Sequence, residues 1–294
     1  FGQRKSNKRG RDMIKFGPAG AAAEFAEEGH KGTIEMPKWL KERGLDVFEY
    51  PFGRGVMIKE DTARAIGDEF EKEGIEVTAH APYFINFATS EEDKARNNVR
   101  YIRETLNALR AFKGKRCVFH PGSPLKALRS DAMNVLVRRV SELVEELYSG
   151  GYSDMYLCAE TMGKKAQLGD LDEVIRIVNV DKMIIPCVDF GHLNARDMGA
   201  IKTKEDYKAV LDRLIDGVGI EKVSNMHIHF SKIQYSSGGE VRHLTFEDDV
   251  YGPDFEPLME TLYEYRLSPV VICESAGTQA RDAKLMKDYY CSLL

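Results

Sequence analysis

Short apolar runs recur along the chain, each followed by a longer amphipathic stretch. The runs are MIKFG (13–17), DVFEY (46–50), IEVTAHAP (75–82), RCVFHPG (116–122), MYLCAET (155–161), MIIPCVDF (183–190), VSNMHIHF (223–230) and PVVICES (269–275). Between them, EDKARNNVRYIRETLNALRAF and SDAMNVLVRRVSELVEELY carry helical periodicity, and Ser130 and Asp131 are placed to cap the second. Continuous apolar strands alternating with amphipathic helices predict parallel β-structure buried on both faces. Eight such units within 294 residues predict an α/β fold, a single (β/α)8 TIM barrel over residues 13–294. A doubly wound open sheet is the competing arrangement, but no GxGxxG or GxxxxGK(S/T) loop follows any run.

Composition narrows the function classes. With 43% hydrophobic residues and a formal net charge of -5, the chain has no bulk basic footprint. Nucleic-acid binding driven mainly by overall charge is therefore not expected, although a local basic groove is compatible with an acidic total. No run of 18 apolar residues and no signal-peptide pattern occur, which predicts a cytoplasmic protein with no membrane span. The five cysteines, Cys117, Cys158, Cys187, Cys273 and Cys291, are odd in number and far apart, and four lie in apolar runs. They read as buried thiols in a reducing compartment, not as a disulfide framework or a CxxC metal site. Residues 1–12, FGQRKSNKRGRD, are basic and polar and precede Met13. They read as a disordered basic tail or an expression remnant, with a phosphate-touching arm as the alternative.

The polar residues carry the chemistry. In a barrel of this kind the site forms at the C-terminal ends of the strands. The third run ends near His80, the fourth at His120 and the fifth at Glu160. The sixth ends at Asp189 with His192 three residues on, the seventh carries His227 and His229, and the eighth ends at Glu274. His243 falls in the long loop after the seventh, so six of the seven histidines occupy one predicted rim and only His30 does not. Singly, each has a structural explanation: a hydrogen-bonded strand-end histidine, an ion-paired glutamate, or Asp189 capping the next helix. Together, six successive strands deliver His, Asp or Glu to one end, where they would repel and desolvate one another without a cation. Imidazole and carboxylate without thiolate suit Zn2+, Mn2+ or Fe. So many histidines predict two or three ions sharing a carboxylate. On a strand, His227 and His229 share one face, which leaves ligand, proton relay and buried polar filler open.

HAPYFINFATS (80–90), FHPGS (119–123), AETMG (159–163), VDFGH (188–192), MHIHFSK (226–232), VRH (241–243) and CES (273–275) resemble the endonuclease IV family of apurinic/apyrimidinic endonucleases. These are trinuclear zinc enzymes on a TIM barrel, within the xylose isomerase-like superfamily. The likeness covers every predicted strand from the third onward, in order. It implies a metal-dependent hydrolase that cuts DNA at abasic sites and acts as a monomer. It further implies that His80, His120 and Glu160 hold a first zinc, and that Glu160 bridges to a second held by Asp189, His227 and Glu274. His192 and His243 would hold a third. Glu160 and Glu274 take the catalytic roles, Glu274 orienting or deprotonating the nucleophile, and Tyr83, Asn86 and Arg54 would contact the substrate. His229 falls where the family has an amide, so it is expected behind a ligand or in a structural role.

Two departures bear on that reading. The third ion's aspartate, two residues before its histidine, is replaced by Val241, so this ion is expected to keep two imidazoles and lack its carboxylate, unless the Gly238–Gly239 turn swings the adjacent Glu240 inward to compensate. TFEDDVYGPDF stands where the family has a Gly-rich segment, and PFGRGVMIKE does not match its DNA-inserting loop. Metal-dependent sugar isomerases and epimerases that resemble xylose isomerase form the alternative. Their single ion needs Glu, Asp, His and Glu, which Glu160, Asp189, His227 and Glu274 satisfy, with Glu160 and Glu274 as paired acid and base. His80, His120 and His192 are surplus to an epimerase and favour the nuclease. A barrel that binds without catalysis is the third reading.

Overall fold

The computed structural model describes residues 14–294, so the basic stretch 1–12 lies outside the described residues. Ten strands occur in chain order: β1 (Lys15–Pro18), β2 (Val47–Pro51), β3 (Glu76–His80), β4 (Arg116–Phe119), β5 (Tyr156–Glu160), β6 (Ile184–Asp189), β7 (His227–Phe230), β8 (Ile233–Ser236), β9 (Gly239–His243) and β10 (Val270–Cys273). Eight are parallel, in the order β1-β10-β7-β6-β5-β4-β3-β2, and β8–β9 form a separate antiparallel hairpin. The ends of the sheet meet through a parallel bridge between Ala19 and Glu49. Asp46 N–H also donates to Phe16 O, and Gly20 N–H to Glu49 O. Closure requires Gly17, because a Cβ there would collide with the Val47 carbonyl oxygen.

Helices cover the outside, and the two longest follow the expected periodicity, over Glu92–Ala111 and Arg129–Ser149. The second begins one residue before Ser130. Leu128 is its N-cap, so Ser130 and Asp131 sit inside the first turn and do not cap it. Asp131 there places negative charge at the positive end of the helix. The run 223–230 also divides: Ile220–Ser224 is a helical turn and the strand starts only at His227.

Period two separates two environments along each strand. Val77, Ala79, Cys117, Phe119, Leu157, Ala159, Ile184, Val188, Ile228, Phe230, Val271 and Cys273 join the main core between strands and helices. The alternate positions point into the barrel. Their lower layer is apolar in two patches, Val118–Cys158–Ile185–Cys187 and Val47–Val270–Ile272. Two positions beyond Val118, Cys158, Cys187 and Ile272 stand His120, Glu160, Asp189 and Glu274, and His80 and His229 take the last inward positions of β3 and β7.

Candidate metal centre

That upper layer converges on Glu160, a buried carboxylate at the end of β5. Its Oε2 lies 3.1 Å from Nε2 of both His80 and His120, forming the first of the expected ligand groups. Its Oε1 lies 3.3 Å from Nδ1 of His229 and 3.3 Å from Nδ1 of His192. One carboxylate therefore faces four imidazoles. Asp189, on β6, spends Oδ1 on the His192 backbone N–H, so it does cap the helix Phe190–Arg196, while its Oδ2 lies 3.3 Å from His192 Nδ1. That Oδ2 is buried with no hydrogen-bond partner.

The second group is Glu160, Asp189, His229 and Glu274. Here the structure departs from the sequence expectation, which gave the imidazole to His227. The register explains the difference: Asp189 pairs with His229, whereas His227 pairs with Cys187 one layer deeper. Two residues along a strand are roughly 7 Å, so His227 does not reach the level at which Asp189 and Glu274 stand. Its Nε2 instead donates to Glu49 Oε2 at 2.9 Å, and it groups with Cys187 and His229 beneath the carboxylates.

The third group is His192, Glu240 and His243, and it corrects the expectation of a site without a carboxylate. Positions 240 and 243 would face opposite ways in a regular strand. Gln234 pairs with Arg242 and Tyr235 with Glu240, which leaves Val241 as an extra residue, a β-bulge. The bulge sends Val241 to solvent (49% exposed) and returns Glu240 and His243 to one face. Glu240 Oε2 stands 3.4 Å from His192 Nε2. The hairpin is seated against the loop after β5: Glu240 N–H donates to Gly163 O and Lys165 N–H to Gly238 O. Gly163 has no room for a Cβ between Glu240 and His192.

Four of the grouped imidazoles have Nδ1 tied to a backbone carbonyl or a hydroxyl, although that of His192 also lies 3.3 Å from Glu160 Oε1 and from Asp189 Oδ2. His80 Nδ1–H donates to Ala81 O (2.7 Å), His120 to Tyr83 O (3.3 Å) and His192 to Thr161 O (3.0 Å). His243 Nδ1 and the Ser231 hydroxyl lie 2.8 Å apart. Each leaves its Nε2 for the centre, the arrangement that metal-ligating histidines adopt. Among the residues expected to touch substrate, Tyr83 is exposed at the mouth (57%) and Arg54 is exposed on the loop after β2. Asn86 is not available: its side chain accepts from Ala88 N–H and Ser123 N–H and donates to Ser123 O, stapling two loops.

The electrostatics describe a centre short of positive charge. Burial pushes the Glu160 carboxyl up, but His120 and His229 outweigh it and hold it well below the usual range. Burial raises Asp189 to about 6, with Glu274 and Glu160 adding to the rise against His192. Burial pulls His80 down, yet Glu160 and Glu49 lift it to about 9. In the protein alone, protons on imidazoles neutralise the carboxylates. A divalent cation does the same without them, and the nitrogen and oxygen donors fit one. Sequence reasoning missed Glu49, a buried carboxylate on β2 that accepts from Thr78 Oγ1 and His227 Nε2. Its signal was a glutamate at an inward position of an otherwise apolar strand. The four thiols expected to be buried are buried, Cys291 is exposed, and all five are free.

A family profile described as xylose isomerase-like TIM barrel matches residues 37–289. The chain belongs to that family. This xylose isomerase-like barrel is 33% identical over 277 residues to an uncharacterised protein of Methanocaldococcus jannaschii, covering 94% of this chain and 97% of the relative. It is 27% identical over 230 residues to a probable endonuclease 4 of Staphylococcus aureus, 76% of this chain and 70% of the relative. Among solved structures, a D-tagatose 3-epimerase-like protein superposes with TM-score 0.71 at 19% identity, covering 95% of this chain and 98% of that one. Endonuclease IV from Thermus thermophilus superposes with TM-score 0.67 at 18% identity, covering 95% and 99%. These relatives and fold neighbours thus include both a probable endonuclease and an epimerase-like protein, and structural likeness at these identities speaks to the fold alone.

Proposed function

We propose that this chain is a metal-dependent phosphodiesterase of the endonuclease IV kind, acting on DNA at abasic sites with two or three ions, zinc or manganese. The observation that carries this reading is the pair of flanking groups. Glu160, Asp189, His229 and Glu274 would suffice for one ion and a sugar. His80–His120–Glu160 and His192–Glu240–His243 are additional, and their histidines are anchored from behind. Ions held there would supply Lewis acidity toward a phosphate and would lower the pKa of an attacking water. Glu274 is the most open carboxylate of its group, its side chain 19% exposed against 1% for Glu160, so it is the one that can orient or deprotonate the attacking water. Tyr83 and Phe84, 57% and 43% exposed, offer ring faces for stacking at the mouth. Arg54, Lys126, Lys164, Lys165 and Arg242 stand exposed on the same end without a carboxylate partner among the described residues, as phosphate contacts require.

A sugar epimerase is the second reading, favoured by the four-ligand group and by the epimerase-like fold neighbour. The test runs metal-stripped protein, reloaded with zinc or manganese, on a duplex with one abasic site and in parallel on free ketoses. Strand cleavage at the abasic site, rising with metal, supports the nuclease. Ketose interconversion without cleavage at any metal level replaces it with the epimerase.

A further inference from the structure

We infer that Glu49 is a positioning residue for the metal centre: from the layer below, its carboxylate orients His229 so that Nδ1 is the nitrogen offered to the four-ligand group. The inference rests on the metal reading of the barrel mouth. His80, His120 and His243 are each anchored at Nδ1 by a backbone carbonyl or a hydroxyl, leaving Nε2 for the centre, and His192 ties Nδ1 to Thr161 O while its Nε2 faces Glu240. His229 is reversed. Its Nδ1 lies 3.3 Å from Glu160 Oε1 and 3.5 Å from Glu274 Oε2, facing the group. The far nitrogen, Nε2, lies 2.9 Å from Glu49 Oε1. The distance is that of a hydrogen bond but the angle is not, so in the protein alone this is a charge contact, and Glu49 Oε1 and His229 Nε2 have no other partner.

Glu49 is itself held. Thr78 Oγ1 donates to its Oε2 at 3.0 Å and His227 Nε2 to the same oxygen at 2.9 Å, and Glu49 is 1% exposed. This gives His227 a role, holding Glu49 from below. It also accounts for two strands that put no ligand on the rim: β1 is glycine where it meets β2, and β2 acts through Glu49. A carboxylate behind a ligating imidazole fixes the ring and raises its basicity more than a carbonyl does.

The experiment compares Glu49→Gln, which keeps shape and removes charge, with the parent chain. Zinc is titrated against a chromophoric chelator, and metal-free melting is followed alongside. The expected result is zinc lost from the four-ligand group about 10–100-fold more readily, with His80–His120 zinc retained and metal-free melting close to the parent's. Equal zinc retention by parent and variant overturns the inference. A parent that binds no zinc instead overturns the metal reading on which it rests. Should Glu49→Gln fail to fold, nitrogen-15 NMR of histidine-labelled, zinc-loaded parent decides. Zinc on Nδ1 of His229 with a proton on Nε2 supports the inference, and zinc on Nε2, or on His227, refutes it.

Discussion

His227 and His229 differ by one pleat, about 7 Å along the strand, and on the proposed metal reading that distance separates a ligand from its support. His229 stands level with Asp189 and faces Glu160 and Glu274, whereas His227 stands level with Cys187 and donates to Glu49. His229→Asn should therefore empty the four-ligand group, weakening zinc there by more than about 100-fold. His227→Asn, which removes only a hydrogen bond to Glu49, should weaken it about tenfold, the low end of the cost of a change behind a ligand. Zinc stoichiometry of the two purified variants measures this, and the reverse ranking would show that His227 reaches the ion. Most of the site was legible residue by residue, because strand ends in a barrel share one rim: His80, His120, Glu160, Asp189, His192, His243 and Glu274 all fall in the three groups. His229 was misjudged because motif likeness counts residues, while the barrel sorts them by height. The last inward position of each strand is the better guide, and on β7 that position is His229.

The decisive element is the β8–β9 hairpin. From sequence this segment reads as the long loop after the seventh strand, since pairing with a bulge breaks the alternation on which strand prediction depends. The bulge at Val241 is what lets an E-x-x-H spacing present both residues to His192. Glu240→Ala should remove the third group's carboxylate while leaving the bulge in place. The outcome expected is loss of one ion per chain, with the other two groups filled and melting within a few degrees of the parent. Val241→Asp, on an exposed position, should leave metal content unchanged. A gain of third-ion affinity in Val241→Asp would show that residue 241, and not Glu240, faces the ion. The helical elements were read more easily than the hairpin, because long amphipathic stretches such as Glu92–Ala111 carry many turns of signal.

At the scale of the whole barrel, the centre ties stability to pH and metal. His80 rises to about 9 in the fold against its ordinary 6.5, because the Glu160 contacts outweigh burial. His192 and His229 shift the same way, burial again being outweighed by facing carboxylates and, for His229, by Cys187 as well. A histidine with a raised value stabilises the fold fully below its unfolded value and loses that contribution as pH climbs through the folded one. The metal-free protein should therefore melt progressively lower from about pH 6.5 to about pH 9. The zinc-loaded protein should change less over the same range, since its ligating nitrogens carry no proton. Zinc uptake at pH 7 should release protons, visible as a dependence of binding heat on buffer ionisation enthalpy. A metal-free melting temperature that rises over this window would contradict the charge arrangement. The central claim is that one barrel mouth gathers three ion positions around Glu160. An anomalous difference map from zinc-loaded crystals, collected at the zinc edge, tests it most directly. The account predicts three peaks: one against His80, His120 and Glu160, one against Glu160, Asp189, His229 and Glu274, and one against His192, Glu240 and His243. A single peak at the four-ligand group, with the flanking histidines bare at saturating zinc, would contradict it.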